Sequence, residues 1–264
     1  LGGSGFVGSA FARLCSAEGR DFSIIDRRNY DSFVGGSCEV LINANGNSKK
    51  HLSQQAPLRD FDASVRTVRA SLVDLRYDRY VYLSSCDVYP DCSSPRVTSE
   101  SQKLDVSMQS SYGFHKYLAE QCIRHGGSKW LIVRLGGAVG PGLNKNPIFD
   151  VLAGEALWVD PESEFQFLHT DRAAKTVMSL LDCGTQNEVF NVCGRGVVSV
   201  REVMQWAGRD VSVRAGSPRI RYEVDINKVS ALIDVPETRS TVRAFVYDEL
   251  RARSALNVPA PNAK

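Results

Sequence analysis

The chain opens with Gly2-Gly3-Ser4-Gly5-Phe6-Val7-Gly8, and a segment with apolar residues at helical spacing follows at once. The G-x-x-G-x-x-G spacing predicts a tight glycine turn that leads into an amphipathic helix over Phe6–Ala17. Glycines let the backbone approach a pyrophosphate closely, and a helix N-terminus offers it free N–H groups and partial positive charge. The stretch therefore favours a dinucleotide-binding unit over the alternative, a flexible terminus followed by a helix.

Two later stretches support this interpretation. Asp26 lies 24 residues after Gly2, at the end of a predicted strand over Phe22–Ile25. A carboxylate at this place is expected to accept hydrogen bonds from the adenine ribose. A second predicted strand, Glu39–Ala44, runs into Asn45 and Gly46, small residues that would let a dinucleotide lie across the sheet edge. The alternative for Asp26 is a solvated loop carboxylate, and the alternative for the end of Glu39–Ala44 is an ordinary turn from a strand into a loop.

Predicted strands and helices alternate along the chain. The later strands are predicted at Tyr80–Ser84, Trp130–Leu135, Phe165–Leu168 and Val189–Val192, and the later helices at Pro57–Leu75, Tyr112–Arg124, Asp171–Leu181, Val224–Ile233 and Thr238–Arg253. Alternation of this kind predicts a Rossmann-type, doubly wound parallel sheet with helices on both faces. We expect residues 1–140 and 165–195 to form the dinucleotide-binding domain, and residues 141–164 and 196–264 to form a small substrate-binding lobe.

Composition excludes several classes of protein. The 264 residues are 43% hydrophobic and 23% charged, which is typical of a folded globular chain. A net charge of +2 without a basic cluster argues against nucleic acid as a partner and favours a small molecule. The longest apolar stretch is interrupted by Arg134 and is too short to span a membrane. Scattered histidines argue against a metal site, and seven cysteines without a C-x-x-C pair are typical of reduced, cytoplasmic thiols.

Three residues are candidates for chemistry. Tyr112 and Lys116 are four apart on a predicted helix, so both side chains leave the same face. A neighbouring ammonium group is expected to lower the pKa of the tyrosine and make it an acid/base near neutral pH. Ser85 ends a predicted strand, where α/β folds place their active sites, and could bond a substrate oxygen. The alternative for Tyr112 and Lys116 is that they lie at the boundary of an amphipathic helix without a chemical role. The alternative for Ser85 is that it is a small polar residue that ends a strand.

With these motifs in order, the chain resembles the extended short-chain dehydrogenase/reductases, specifically the NAD-dependent epimerase/dehydratase family that acts on nucleotide sugars. The segments that carry the resemblance are the opening glycine loop, Tyr82–Tyr89, Tyr112–Lys116, Val133–Gly142, Phe165–Asp171 and Phe190–Gly194. The resemblance implies that Tyr112 is the acid/base, that Lys116 binds the nicotinamide ribose and tunes Tyr112, and that Ser85 bonds the reacting oxygen. The residues it implies for cofactor binding are Gly2, Gly5, Phe6, Val7, Gly8, Asp26, Arg27, Ala44, Asn45, Gly46 and Lys116.

The function that the resemblance implies is an NAD(P)-dependent nucleotide-sugar epimerase. One alternative is an NAD(P)H-dependent reductase of 4-keto nucleotide sugars. Another is a non-catalytic dinucleotide-sensing protein, against which the joint presence of Ser85, Tyr112 and Lys116 argues. NAD is the expected cofactor because Asp26 would repel a 2′-phosphate, and NADP stays possible because two arginines follow it. The resemblance also implies a homodimer in which the helices predicted at Pro57–Leu75 and Tyr112–Arg124 pair across the axis.

The sequence departs from the family pattern in four places. Gly136 and Gly137 stand where Phe-Asn is common, and the short segment between Asp26 and Glu39 predicts that one edge strand is missing. The family's first strand should precede Gly2, so an amino-terminal truncation is expected. Ser85-Cys86-Asp87 replaces the Thr-Asp-Glu of dehydratases. A thiol is a poor acid for protonating a leaving hydroxyl, so we expect that the chain is not a 4,6-dehydratase.

Overall fold

The structure, a computed structural model, describes residues 1–47 and 50–256. Its strands are β1 (Ser37–Asn43), β2 (Arg76–Ser85), β3 (Trp130–Leu135), β4 (Gly137–Val139), β5 (Glu164–Phe165), β6 (Phe167–His169), β7 (Glu188–Val192), β8 (Val198–Ser199) and β9 (Arg221–Tyr222). Its α-helices are α1 (Gly8–Ala17), α2 (Lys50–Gln55), α3 (Pro57–Phe61), α4 (Thr67–Asp74), α5 (Ser111–Gly126), α6 (Pro147–Ala153), α7 (Thr170–Asp182), α8 (Val200–Ala207), α9 (Asn227–Ser230) and α10 (Thr238–Leu256).

The main sheet is parallel throughout, with the strand order β1-β2-β3-β7. Its register pairs Tyr82 with Ile132, and Ile132 with Val189. Strands β2 and β3 are buried almost along their whole shared length because apolar residues point to both faces. The doubly wound α/β fold predicted from the sequence is therefore confirmed.

Successive residues of the sheet enter two different cores. Val81 and Val133 pack with α1 and α7 in one cluster, whereas Tyr82 and Ile132 pack with α4 and α5 in another. This division follows from the two-residue side-chain period of a strand. The helix that carries Tyr112 and Lys116 is thus held on one face of the sheet, and the glycine-loop helix on the other.

Leu1 lies between β1 and the extended segment that ends at Ile25. Its amino group donates to the Ile42 carbonyl at 2.7 Å, and its carbonyl accepts from the Ala44 N–H at 3.0 Å. On the other side, the Gly2 N–H donates to the Ile25 carbonyl at 2.8 Å. The prediction of a strand over Phe22–Ile25 was wrong, because a single bond to Gly2 does not make a ladder. Residues 27–36, all described, contain one 3₁₀ turn and no strand, as the short spacing predicted.

Three other predicted elements differ from the structure. The helix predicted over Pro57–Leu75 is divided into α3 and α4 by a π-helical turn, Asp62–Arg66. The strand predicted over Phe165–Leu168 is divided at Gln166, whose side-chain amide exchanges hydrogen bonds with the backbone of Val224. That exchange ties the backbone of Val224 to Gln166, and of the helix predicted over Val224–Ile233 only α9 is found.

A separate apolar cluster forms beside the main sheet. It joins α6, α8 and α10 through side chains such as Val151, Val203 and Val246, next to the small sheet β8-β5-β9. The domain boundaries predicted from the sequence stay predictions. Within the described chain, no helix combines the length and the hydropathy needed to cross a bilayer.

Candidate active site

The carboxyl end of β2 meets the amino end of α5, and this junction brings the candidate catalytic residues together. Ser110 caps α5 by accepting the Gly113 N–H at 3.1 Å. A Cβ atom at Gly113 would lie 2.0 Å from the Asp87 carbonyl oxygen, so only glycine allows this approach. The close packing places Tyr112, in the first turn of α5, beside Ser85, the last residue of β2.

Tyr112 is half-buried. Burial raises the pKa of Tyr112, the negative charge of Asp87 raises it further, and the hydrogen bond with Ser85 opposes both. The sequence predicted a lowered pKa, caused by Lys116. The direction is reversed because burial and the charge of Asp87 raise this pKa, while the Lys116 ammonium donates to the Leu83 carbonyl at 3.1 Å and not to Tyr112.

Lys116 is buried between Gly46 and the ring of Tyr82. Its Nζ atom lies 5.0 Å from the ring centroid, and a Cβ atom at Gly46 would lie only 2.9 Å from Nζ. Burial lowers the pKa of Lys116 to about 8, against the opposing pull of Asp60, Glu120 and Asp87. Gly46 has a φ of +139°, which favours glycine, and a side chain here would also displace the lysine that the sequence singled out separately.

Asp87 has three side-chain partners from three parts of the chain. Ser85 Oγ donates to its Oδ2 atom at 3.0 Å, Lys50 Nζ lies 2.7 Å from Oδ2, and the Tyr222 hydroxyl donates to Oδ1 at 3.3 Å. The sequence analysis discussed Asp87 only as one half of a missing dehydratase pair. Its contacts with α2 and β9 had no local signal.

The glycine loop closes on itself at the start of α1. The Gly5 N–H donates to the Gly2 carbonyl at 3.0 Å, and a Cβ atom at Gly8 would lie 2.1 Å from that same carbonyl oxygen. Gly2 has a φ of +72°, which favours glycine. Helix α1 begins with no side-chain cap and no acidic residue in its first turn. A site of this kind fits the pyrophosphate of a dinucleotide.

Asn45 connects the glycine loop to the lysine site. A Cβ atom at Gly2 would lie 2.6 Å from Asn45 Oδ1, and Gly46 follows directly against Lys116. Ala44 is held by its bond to Leu1. The glycine loop, the end of β1 and helix α5 therefore lie next to one another.

Asp26 lies next to this loop because its neighbour Ile25 bonds to Gly2. Its carboxylate accepts the Arg28 backbone N–H at 2.8 Å and pairs with the Arg28 guanidinium at 2.8 Å. These hydrogen bonds to Arg28 lower the pKa of Asp26. Arg27 is exposed.

Two buried polar pairs near the site were not predicted. His115 Nδ1 lies 2.6 Å from Asp60 Oδ2, and Arg134 pairs with Glu120 at 2.7 Å. A signal for the second pair was present: Arg134 interrupts an apolar strand, and Glu120 lies four residues after Lys116 on the same helix face.

The sequence profile of the NAD dependent epimerase/dehydratase family matches residues 1–193. The chain belongs to this family. The profile spans the glycine loop, Ser85, Tyr112 and Lys116. No curated protein sequence matches the chain significantly.

Solved structures share the family fold at low sequence identity. A UDP-galactose 4-epimerase superposes with a TM-score of 0.74 at 19% identity, covering 95% of this chain and 97% of that one. The dTDP-4-dehydrorhamnose reductase of Bacillus anthracis, in complex with NADP, gives 0.75 at 16% identity, with 94% and 96% covered. DesIV, a dTDP-glucose 4,6-dehydratase from Streptomyces venezuelae with NAD and TYD bound, gives 0.74 at 19% identity, with 96% and 97% covered.

Close packing accounts for the two glycines that depart from the family pattern. A Cβ atom at Gly136 would lie 2.4 Å from Cys193 Sγ, and one at Gly137 would lie 2.4 Å from the Gln166 carbonyl oxygen. Side chains at these two positions would displace β6 and the end of β7.

Proposed function

We propose that the chain is an NAD(P)-dependent nucleotide-sugar epimerase. The observation that carries the proposal is the continuous path from Gly2 through Asn45 and Gly46 to Lys116, with Tyr112 and Ser85 beside it. A dinucleotide that follows this path would bring its nicotinamide end to the tyrosine. Membership of the family supports the proposal at the level of the reaction class.

Each part of the path would hold one part of the cofactor. Gly2, Gly5, Phe6, Val7 and Gly8 would surround the pyrophosphate at the start of α1. Asp26 and Arg27 would face the adenine ribose, and Ala44, Asn45, Gly46 and Lys116 would face the nicotinamide half. When bound, the cofactor supplies a site that accepts a hydride from the sugar carbon and returns it.

The chain's own residues would handle the sugar oxygen. Tyr112 would take the hydroxyl proton in the first half-reaction and return it in the second. Ser85 would hold the reacting oxygen against Tyr112, and Lys116 would bond the nicotinamide ribose. Neither half-reaction eliminates water, so the absence of a Thr-Asp-Glu triplet at Ser85-Cys86-Asp87 is compatible with epimerisation.

We also propose that two copies of the chain pair through the face of α3, α4 and α5. Leu58 on α3 and Val73 on α4 are 80% and 68% exposed, which is unusual for large apolar side chains in a monomer. A twofold axis through this face would bury both patches. Light scattering at micromolar concentration should give the mass of a dimer, and the monomer mass would contradict this proposal.

The experiment that tests the function is a screen of UDP- and dTDP-sugars with the purified chain and NAD. We expect two epimeric sugars to interconvert with no net change of absorbance in the reduced-nicotinamide band. Net oxidation of added NAD(P)H would identify the 4-keto reductase instead. A 4-keto-6-deoxy product, detected by its alkaline absorbance, would identify a dehydratase, and failure to convert any sugar would contradict the proposal.

A further inference from the structure

Four consecutive residues, Tyr222–Asp225, form a strap that leads from the small sheet into the main core. The strap begins in β9, and its residue Val224 belongs to the core cluster that also contains Val81 and Val133. Each residue of the strap is hydrogen-bonded to another part of the chain: Tyr222 to Asp87, Glu223 to Cys92, Val224 to Gln166, and Asp225 to Thr98 and Asn191. The bond to Asp87 brings the beginning of the strap to the candidate active site.

Asn191, in β7, holds the other end of the strap. Its side chain is fully buried, and its Nδ2 atom donates to the Asp225 carbonyl at 2.8 Å and to the Thr98 carbonyl at 2.7 Å. The Thr98 hydroxyl in turn accepts the Asp225 N–H at 2.9 Å. The backbone of Asp225 is therefore held through both its N–H and its carbonyl group.

The amide of Asn191 is oriented by two further buried side chains. The Tyr89 hydroxyl donates to Asn191 Oδ1 at 2.9 Å, and Arg134 donates to that hydroxyl at 2.9 Å. Arginine has no acceptor, so the proton of Tyr89 goes to Asn191, and Nδ2 must face the two carbonyl groups. These three residues come from three segments that carry the family resemblance, and the proposed chemistry gives none of them a role.

The anchors of the strap differ in what they are attached to. Glu223 donates to the Cys92 carbonyl in the connection from β2 to α5, and Val224 exchanges bonds with Gln166, between β5 and β6. Neither Cys92 nor Gln166 belongs to a strand of the main sheet, whereas Asn191 does. Asn191 therefore ties the strap directly to the sheet that ends in Ser85.

We propose that Asn191 is a positioning residue that holds the strap in the place where Tyr222 meets Asp87, and that this placement is needed to bind the sugar. The inference rests on the proposed function. A sugar whose reacting oxygen lies between Ser85 and Tyr112 would lie beside Asp87, so the contact of Tyr222 with Asp87 borders it. Asn191 is fully buried and acts on the sugar only through the strap.

The test compares Asn191→Asp with Leu75→Ala. Aspartate keeps the shape and the acceptor for Tyr89 but turns a carboxylate oxygen toward two carbonyl groups, so both bonds of Nδ2 are lost. Leu75 is a buried residue directly before β2, at the end of the sheet opposite the site, and its truncation lowers stability without touching the strap. At neutral pH, we expect the KM for the nucleotide sugar to rise about tenfold in Asn191→Asp and to stay within about twofold in Leu75→Ala.

The affinity for NAD should stay within about twofold of the wild type in both variants, because the strap lies apart from the proposed cofactor path. A purely structural role of Asn191 predicts the wild-type KM in whatever fraction of Asn191→Asp folds, and that result would overturn the proposal. Should Asn191→Asp not fold, Thr98→Val carries the same test. It removes only the hydroxyl that accepts the Asp225 N–H, so KM should rise about threefold. A wild-type KM in Thr98→Val would then overturn the proposal.

A double variant tests whether Asn191 acts through Tyr222. Tyr222→Phe removes the hydroxyl that donates to Asp87, so adding Asn191→Asp should raise KM by less than about twofold more. Independent, multiplying effects would contradict an action through the strap.

Hydrogen exchange tests the strap without any turnover. In the protein without ligands, the amides of residues 223–225 should exchange about tenfold faster in Asn191→Asp, measured relative to the amides of β3, and at the wild-type ratio in Leu75→Ala. An unchanged ratio in Asn191→Asp would refute the inference. If the wild type converts no nucleotide sugar, the proposed function fails, and the exchange ratio alone then decides whether Asn191 holds the strap.

Discussion

Helix α5 carries two polar sites on a single face, and they differ in how fully their hydrogen bonds are used. Tyr112 and Lys116 face the candidate active site, and Glu120, one turn later, faces a closed network. The Glu120 carboxylate accepts from Ser84 at 2.6 Å and from Arg134 at 3.0 and 2.7 Å. Arg134 then donates to the Tyr89 hydroxyl, which donates to Asn191.

Lys116 is as deeply buried as Arg134 but has far fewer partners. It bonds the Leu83 carbonyl and, among the described residues, forms no ion pair within 4 Å. Arg134 is fully paired by Glu120. Buried charge is expensive unless it is paired, so an unpaired buried cation indicates a group held for a ligand, whereas a saturated one indicates a structural role. We therefore propose that one end of this helix face serves a ligand and the other serves stability.

The largest expected effect is on turnover, at the catalytic end. Tyr112→Phe removes only the hydroxyl that moves the proton, so the rate should fall about 10²–10⁴-fold while cofactor binding and unfolding midpoint stay close to the wild type. Tyr117→Phe, five residues further along the same helix, is the matched control. Turnover assays measure the rate, and titration with dinucleotide measures cofactor binding. A Tyr112→Phe variant that keeps most of the wild-type rate would contradict the assignment of Tyr112.

At the structural end, the effect should be on stability. Arg134→Met leaves Glu120 buried without its partner, which should lower the free energy of unfolding by about 3–5 kcal/mol. The double variant Glu120→Gln/Arg134→Met removes both charges and should recover most of that loss. Urea unfolding measures both. A loss below about 1 kcal/mol in the single variant would mean that the network contributes little.

The same substitution at Lys116 should change stability in the opposite direction. Because the pKa of Lys116 in the folded state, about 8, is below the ordinary value of 10.5, the folded state loses its proton first, and wild-type stability should rise from pH 8 to 10.5. Lys116→Met removes the desolvation cost, so it should gain up to about 3 kcal/mol at pH 7 and lose that rise with pH. Its turnover and cofactor affinity should fall. Urea unfolding at pH 7 and 10 measures the sign of the change in the free energy of unfolding. Destabilisation of Lys116→Met at pH 7 would refute the contrast between Lys116 and Arg134.

The sequence predicted those features of the structure that are encoded within a single short segment of the chain. β3 was predicted to the residue, because Trp130–Leu135 is an apolar run that decides its own conformation. The grouping of Ser85, Tyr112 and Lys116 was also predicted, because their order in the chain resembles a known family. Phe22–Ile25 was predicted wrongly because a strand exists only with its ladder partner.

Contacts between distant residues could not be predicted. Asp87 meets Lys50 and Tyr222 across 37 and 135 residues, and no spacing rule covers such pairs. The pKa of Tyr112 was expected in the wrong direction because a helical spacing shows neither the burial of the phenol nor the nearby charge of Asp87, which raise it. The spacing also fixes only the backbone position of Lys116, not the partner of its ammonium group. Long, flexible side chains choose their partner from the packed structure, here the Leu83 carbonyl.

The smallest expected effect concerns the far end of the cofactor path, where charge is exposed. Asp26 holds the guanidinium of Arg28, whose side chain is 87% exposed, so the pair is screened by water and salt. Asp26→Asn keeps an acceptor for the Arg28 N–H but frees the guanidinium and removes the charge that repels a 2′-phosphate. The ratio of NADP to NAD affinity should then rise roughly tenfold, and less at high salt. In Asp26→Asn/Arg28→Ala most of that rise should disappear, because the freed guanidinium is what would bind the phosphate.

Titration of NAD and NADP against the wild type and the two variants measures this affinity ratio. Wild-type protein that already binds NADP more tightly would mean that Arg28 leaves Asp26 when a phosphate is present.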